Sequence, residues 1–120
     1  MKGYFSTLVF WRLSFWICLI AVLLLALLPP SINIPTTGWD KLNHVLAFCA
    51  LSFLSFRAYP NHHLRLLILL LAYGGLIEVM QSFTAYRFAE WADLLADGIG
   101  LCIGWVFGKL AGSFVGEVPM

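Results

Sequence analysis

The chain has 120 residues, 62% of them hydrophobic and 11% charged, with a mean hydropathy of +0.91, a balance that excludes an ordinary water-soluble domain and points to a bilayer. A hydrocarbon core of about 30 Å takes roughly 20 helical residues to cross, so this length accommodates a single domain of four crossings and short connections. Net charge is +1 with basic residues scattered along the chain, so the clustered Lys/Arg footprint of a nucleic-acid binder is missing and no such partner is expected.

The first apolar run predicts a span over residues 8–28, closed by Pro29-Pro30, which cannot continue a helix. Its length, and the lack of an A-x-A site before the prolines, favour a retained span over a cleaved signal peptide. A proline-bearing linker then leads through Trp39 to a second span over 40–59, ended by Pro60. Asn61-His62-His63 form a tight turn, expected to be solvated. The third span covers 64–83, with Gly74-Gly75 in its middle, and the fourth covers 90–110. Trp11, Trp39 and Trp91 fall near span ends, where an amphipathic indole anchors a helix at the interface. Cys18, Cys49 and Cys102 lie inside apolar segments without metal or disulfide spacing and are read as reduced packing residues.

Basic residues orient these spans. Lys2, Arg12, Arg57, Arg65 and Lys109 share one side, while Lys41 and Arg87 lie on the other, each accompanied by carboxylates. By the positive-inside rule both termini are cytoplasmic. The expected fold is therefore all-α, a polytopic membrane protein with four transmembrane helices.

In this topology five of the six acidic residues, Asp40, Glu78, Glu90, Asp93 and Asp97, gather at the outer face, with Glu117 in the tail as the exception. Lys41, His44, Gln81 and Arg87 join them. Asp40 and His44 are four apart, Glu78 and Gln81 three apart, and Glu90, Asp93 and Asp97 repeat at three and four, so each set occupies one helix stripe. An ionised side chain at helix centre costs on the order of 3 kcal/mol by insertion scales, so these residues must face inward, toward partners or water. The stripe of the fourth span continues through Gly100, Gly104 and Gly108, which lets another helix approach closely. The pattern describes an outward cavity lined by spans two, three and four above a packed floor. A structural salt-bridge network would use the same residues, but the excess of carboxylates over nearby cations favours a site.

Three linked motifs carry a family resemblance: D-K-x-x-H at Asp40 to His44, E-x-x-Q at Glu78 to Gln81, and Arg87 followed by D-x-x-x-D-G from Asp93 to Gly98. In this order, over residues 39–108, the chain resembles the VanZ-like membrane proteins. The resemblance implies a small integral protein of the bacterial inner membrane and cell envelope, similar to a member that confers low-level resistance to the glycopeptide teicoplanin. Where the family often has Asn in the last motif, this chain has Asp97, which adds charge to the cavity.

The leading expectation is a ligand-binding site made of Asp40, Lys41, His44, Glu78, Gln81, Arg87, Asp93 and Asp97. It would engage an extracytoplasmic, lipid-linked or cell-wall-derived group, with Lys41 and Arg87 on anionic moieties. The competing expectation is a membrane-embedded hydrolase or transferase in which His44, Glu78, Asp93 and Asp97 bind a divalent metal or move protons. A third is a small assembly subunit whose Gly100, Gly104 and Gly108 stripe meets another chain. No cofactor is expected beyond that divalent metal, the lipid bilayer is the expected partner, and an oligomer is left open.

Overall fold

A computed structural model describes residues 2–27, 40–84 and 91–115. These residues form four α-helices and, among themselves, no strand: α1 (Lys2–Leu27), α2 (Asp40–Ala58), α3 (His63–Ser82) and α4 (Trp91–Val115). The predicted spans start and stop within a few residues of these bounds, except that α1 begins well before residue 8 and α4 runs on past 110. Both extensions follow from the absence of proline in those flanks, so that nothing in the chain forces the helix to stop at the edge of the apolar run.

Three segments, Ser6–Leu27, His63–Ser82 and Trp91–Ala111, are long and apolar enough to cross a membrane. The 19-residue α2 is long enough, rising about 28 Å, but less apolar. The reason lies in packing. α1, α3 and α4 turn rows of large apolar side chains outward, such as Leu13, Ile17 and Leu24, or Ile99, Val106 and Leu110, whereas the one large apolar side chain that α2 exposes is Leu46. A helix with little lipid-facing surface needs few lipid-compatible residues, so α2 can carry Ser52 and Ser55, both buried.

The helices alternate in direction. α2 touches α1, α3 and α4, with its largest contact on α4, and among the described residues α1 makes no contact with α4. The α2–α4 contact is made by the glycine stripe. A Cβ on Gly100 would collide with the Val45 carbonyl oxygen, one on Gly104 with the Cys49 carbonyl oxygen, and one on Gly108 would stand 2.7 Å from Phe56 Cγ. These contacts fall on α2 backbone and ring atoms, which have little freedom to yield. The two helices therefore meet backbone to backbone, close enough for Ser52 Oγ to donate to the Leu101 carbonyl at 2.7 Å. Phe48, Leu51, Leu70, Ile77 and Leu101 complete the core, with Phe15 from α1.

α1 is the peripheral helix, with Phe15 its one buried described residue. It is fastened by polar hooks. Arg12 Nε donates to the Ala58 carbonyl at 3.0 Å and Gln81 Nε2 to the Ala26 carbonyl at 2.8 Å. Both acceptors belong to last-turn carbonyls of a helix, which have no partner within their own helix. The Tyr73 hydroxyl donates to the Leu19 carbonyl, and Trp16 Nε1 to the Tyr59 hydroxyl at 3.0 Å. Arg12 lies over the Tyr59 ring and Arg57 over the Trp11 ring, which gathers cations and aromatic rings at the end opposite Asp93.

The glycine contact sets an expectation. Gly104→Leu should push α4 off α2 and destabilise the folded monomer by about 3 kcal/mol or more, measured as unfolding in detergent by circular dichroism. A variant that keeps wild-type stability while losing self-association on gel filtration would place the stripe between chains instead.

Candidate functional site

At the end of the bundle where α2 and α4 begin and α3 finishes, polar side chains from these three helices converge. Glu78, Asp93 and Asp97 are all buried, Asp97 completely, with 0% of its surface exposed. Such burial in a membrane protein demands close partners, and the geometry supplies several. His44 sits between the two aspartates of α4: its Nδ1 stands 2.6 Å from Asp97 Oδ1, and its Nε2 stands 3.8 Å from Asp93 Oδ2. Lys41 Nζ lies 3.4 Å from Asp93 Oδ1. One ligand-capable atom from each of His44, Glu78 and Asp93 falls within 4.8 Å of the other two.

Local chain logic explains the placement. Lys41 and His44 are three apart on α2 and Asp93 and Asp97 four apart on α4, so each pair projects from one face of its helix. Those faces are turned toward each other by the glycine contact below. Asp93 also lies in the first turn of α4, where the helix dipole favours a carboxylate.

A carboxylate accepts, so His44 Nδ1–H donates to Asp97, which fixes the ring and, in the neutral imidazole, leaves the Nε2 lone pair on the side of Asp93. The other Asp97 oxygen, Oδ2, is buried and accepts no hydrogen bond from the described residues. It fits beside Gly74 of α3, where a Cβ would stand 2.5 Å from Oδ2 and 3.3 Å from Phe48 Cζ. Gly74 is therefore part of the site although the sequence reading gave it no role. A glycine pair at mid-span depth opposite an acidic residue was the available signal, but nothing local says which neighbour the glycine faces.

The structure brings together Lys41, His44, Glu78, Asp93 and Asp97. Gln81, expected to line the same site, instead spends its amide on α1 at the Ala26 carbonyl. Arg87 lies outside the described residues, as do Glu90 and the side chain of Asp40. Lys41, expected to grip a ligand anion, is engaged with Asp93. At the opposite end His62 is exposed as expected, but His63 packs between aromatic rings, 4.9 Å from Phe56 and 6.4 Å from Trp105. Adjacent residues at a helix start point in different directions, and the second of the two turns inward.

Comparison with known proteins gives a family for the chain: the family model described as VanZ/LLP1 matches residues 3–112. The match includes α1 as well as the three motif-bearing helices. Neither the curated proteins nor the solved structures gave a match.

Because a Cβ at Gly74 meets a short, fully buried side chain, Gly74→Ala should displace the Asp97 carboxylate and cost about 1–3 kcal/mol, read as a lowered melting temperature in detergent. Combining it with Asp97→Ala should recover most of that loss. Two costs that simply add would show that Gly74 does not make room for Asp97.

Proposed function

This chain belongs to the VanZ/LLP1 family, and we propose that it is a multi-pass protein of the bacterial cytoplasmic membrane whose polar end faces outward and binds an extracytoplasmic ligand. The ligand class is a lipid-linked or cell-wall-derived group. The observation that carries the reading is the convergence of His44, Glu78, Asp93 and Asp97 from three helices at one end.

A network that served only to pair helices would be redundant here. α2 and α4 are already held by the glycine stripe and by the Ser52 hydrogen bond. Buried ion pairs seldom stabilise more than apolar side chains of the same volume. Ionisable groups embedded at membrane depth then mark a site. Arg12, Arg57 and Lys109 belong to the other end, which by the positive-inside rule is the cytoplasmic one and leaves both termini inside.

The ion pair between Lys41 and Asp93 changes which part of the ligand this end would recognise. Among the described side chains three carboxylates share the site with a single ammonium, so it favours a cationic group, or an anion presented through a cation, over a bare anion. Arg87, outside the described residues, remains the candidate for an anionic moiety. A second reading, a membrane-embedded hydrolase or transferase, is favoured by one feature: Asp97 orients His44 as a general base is oriented, with one ring nitrogen tied and the other offered. The small-subunit reading loses its main support, since the glycine stripe is occupied by α2.

Two measurements test this. A fluorescent protein fused after residue 115 should fold and fluoresce in the cytoplasm, while alkaline phosphatase fused after residue 84 should be active outside; the reverse pattern would sink the outward site. Expression in a susceptible bacterium should raise teicoplanin tolerance, and Asp93→Asn at equal membrane levels should return it to the control. Tolerance equal to the empty-vector strain would remove the glycopeptide link.

A further inference from the structure

The polar end has the make-up of a metal centre. We propose that His44 Nε2, Glu78 and Asp93 Oδ2 hold one first-row divalent transition ion, with Asp97 as the positioning residue that aims His44. This deepens the ligand-binding reading, on which it rests for the ion's access from outside, and adds the group through which an anionic ligand would be held.

Spacing is the first support. Two ligands on a common tetrahedral ion at about 2.1 Å each stand about 3.4 Å apart. His44 Nε2 and Asp93 Oδ2 are 3.8 Å apart, and one ligand-capable atom from each of His44, Glu78 and Asp93 lies within 4.8 Å of the other two. Each therefore needs to shift by roughly an ångström at most, which is within the reach of a side-chain torsion.

The second support is the Asp97–His44 hydrogen bond at 2.6 Å. Histidine ligands almost always donate their other ring nitrogen to a carboxylate, carbonyl or water, which fixes the tautomer and raises ligand basicity. Asp97 does this from full burial, with Gly74 cleared to admit it.

Charge is the third. With the imidazole neutral and the carboxylates ionised, the three carboxylates and the Lys41 ammonium among the described side chains sum to −2, which one dication offsets. Lys41 approaches Oδ1 of Asp93 and leaves Oδ2 toward His44, so the lysine and the ion do not compete for one oxygen. Asp93 is 3% exposed, and its Oδ1 meets Lys41 as an ion pair without a hydrogen bond, so Oδ2 is the oxygen left to face an ion.

Donor type selects the metal. One imidazole nitrogen and two carboxylate oxygens suit Zn²⁺, Mn²⁺ or Co²⁺, and three protein ligands leave a position open for water or a ligand oxygen. Ca²⁺ takes six to eight oxygens and Mg²⁺ seeks an octahedron of them, so neither matches this set.

The test uses the full chain in detergent, stripped with a chelator and reloaded. Titration with Zn²⁺ should give one equivalent per chain that excess Mg²⁺ or Ca²⁺ does not displace. The triple variant His44→Ala, Glu78→Gln, Asp93→Asn should lose it, while Asp97→Asn should weaken affinity by about 10- to 100-fold. Co²⁺ should give the intense visible bands of a four-coordinate site in the wild-type protein, a readout that needs no variant, and Asp97→Asn should shift those bands. Uptake equal in wild type and triple variant, or a Co²⁺ spectrum no different from the free ion, overturns the site. Unchanged affinity and bands in Asp97→Asn overturn the positioning role. A chain that binds the ion yet leaves teicoplanin tolerance and topology contrary to expectation would fail the ligand reading alone, whereas the opposite result would fail the metal centre alone.

Discussion

A carboxylate buried among apolar helices must find compensation within the protein, because burial strips its water and the penalty is several kcal/mol per ion. Glu78, Asp93 and Asp97 are all buried in a chain whose surface is otherwise dominated by leucine, isoleucine, valine and phenylalanine. That placement is tolerable only if helices bring complementary groups to the same depth. His44 and Lys41 do so from α2. The rest of the bundle can be understood as what keeps those two helices in register.

The glycine stripe is the means. Gly100, Gly104 and Gly108 admit the α2 backbone at Val45 and Cys49 and the Phe56 ring, in the space that side chains on α4 would otherwise fill. Over one further turn toward the start of α4 the same facing surfaces carry His44 against Asp93 and Asp97. Close packing below and polar contact above are thus two parts of a single helix–helix interface. A shift of one element would be felt in both. Gly74 extends the device to α3: by omitting one side chain it lets the Asp97 carboxylate lie where a methyl group would otherwise stand.

Much of this was legible in the residues. Apolar runs bounded by Pro29-Pro30, Pro60 and the polar stretch after Phe83 located the helices, because a period and a breaker are local properties. The three- and four-residue spacing of Asp93 and Asp97, or of Lys41 and His44, also located one face each. Which neighbour a face meets is not local. Gln81 carries the same spacing relation to Glu78 as a site residue would, yet it turns to the exposed carbonyl end of α1, a partner that no spacing within α3 could name. The part Gly74 plays beside Asp97 is non-local for the same reason. α2 shows the complementary effect: its modest apolarity is what its position among the other three helices permits.

α1 stands apart from this interface, and its attachment explains how it can belong to the family match without touching the polar end's metal-type cluster. It reaches α2 through Arg12 at the Ala58 carbonyl and α3 through Tyr73 and Gln81, hydrogen bonds made to backbone oxygens rather than to particular side chains of a partner. The hooks at Ala58 and Ala26 satisfy helix-end carbonyls that hydrocarbon could not, and lipid asks of the exposed face of α1 only that it be apolar. Gln81 is the informative exception. It sits one turn beyond Glu78 on α3, so the hydrogen bond that fastens α1 also fixes the turn of α3 that presents Glu78 to His44 and Asp93. α1 therefore contributes to the site through the orientation of α3, which gives a physical reason for a fourth helix in a bundle whose polar end is assembled by the other three.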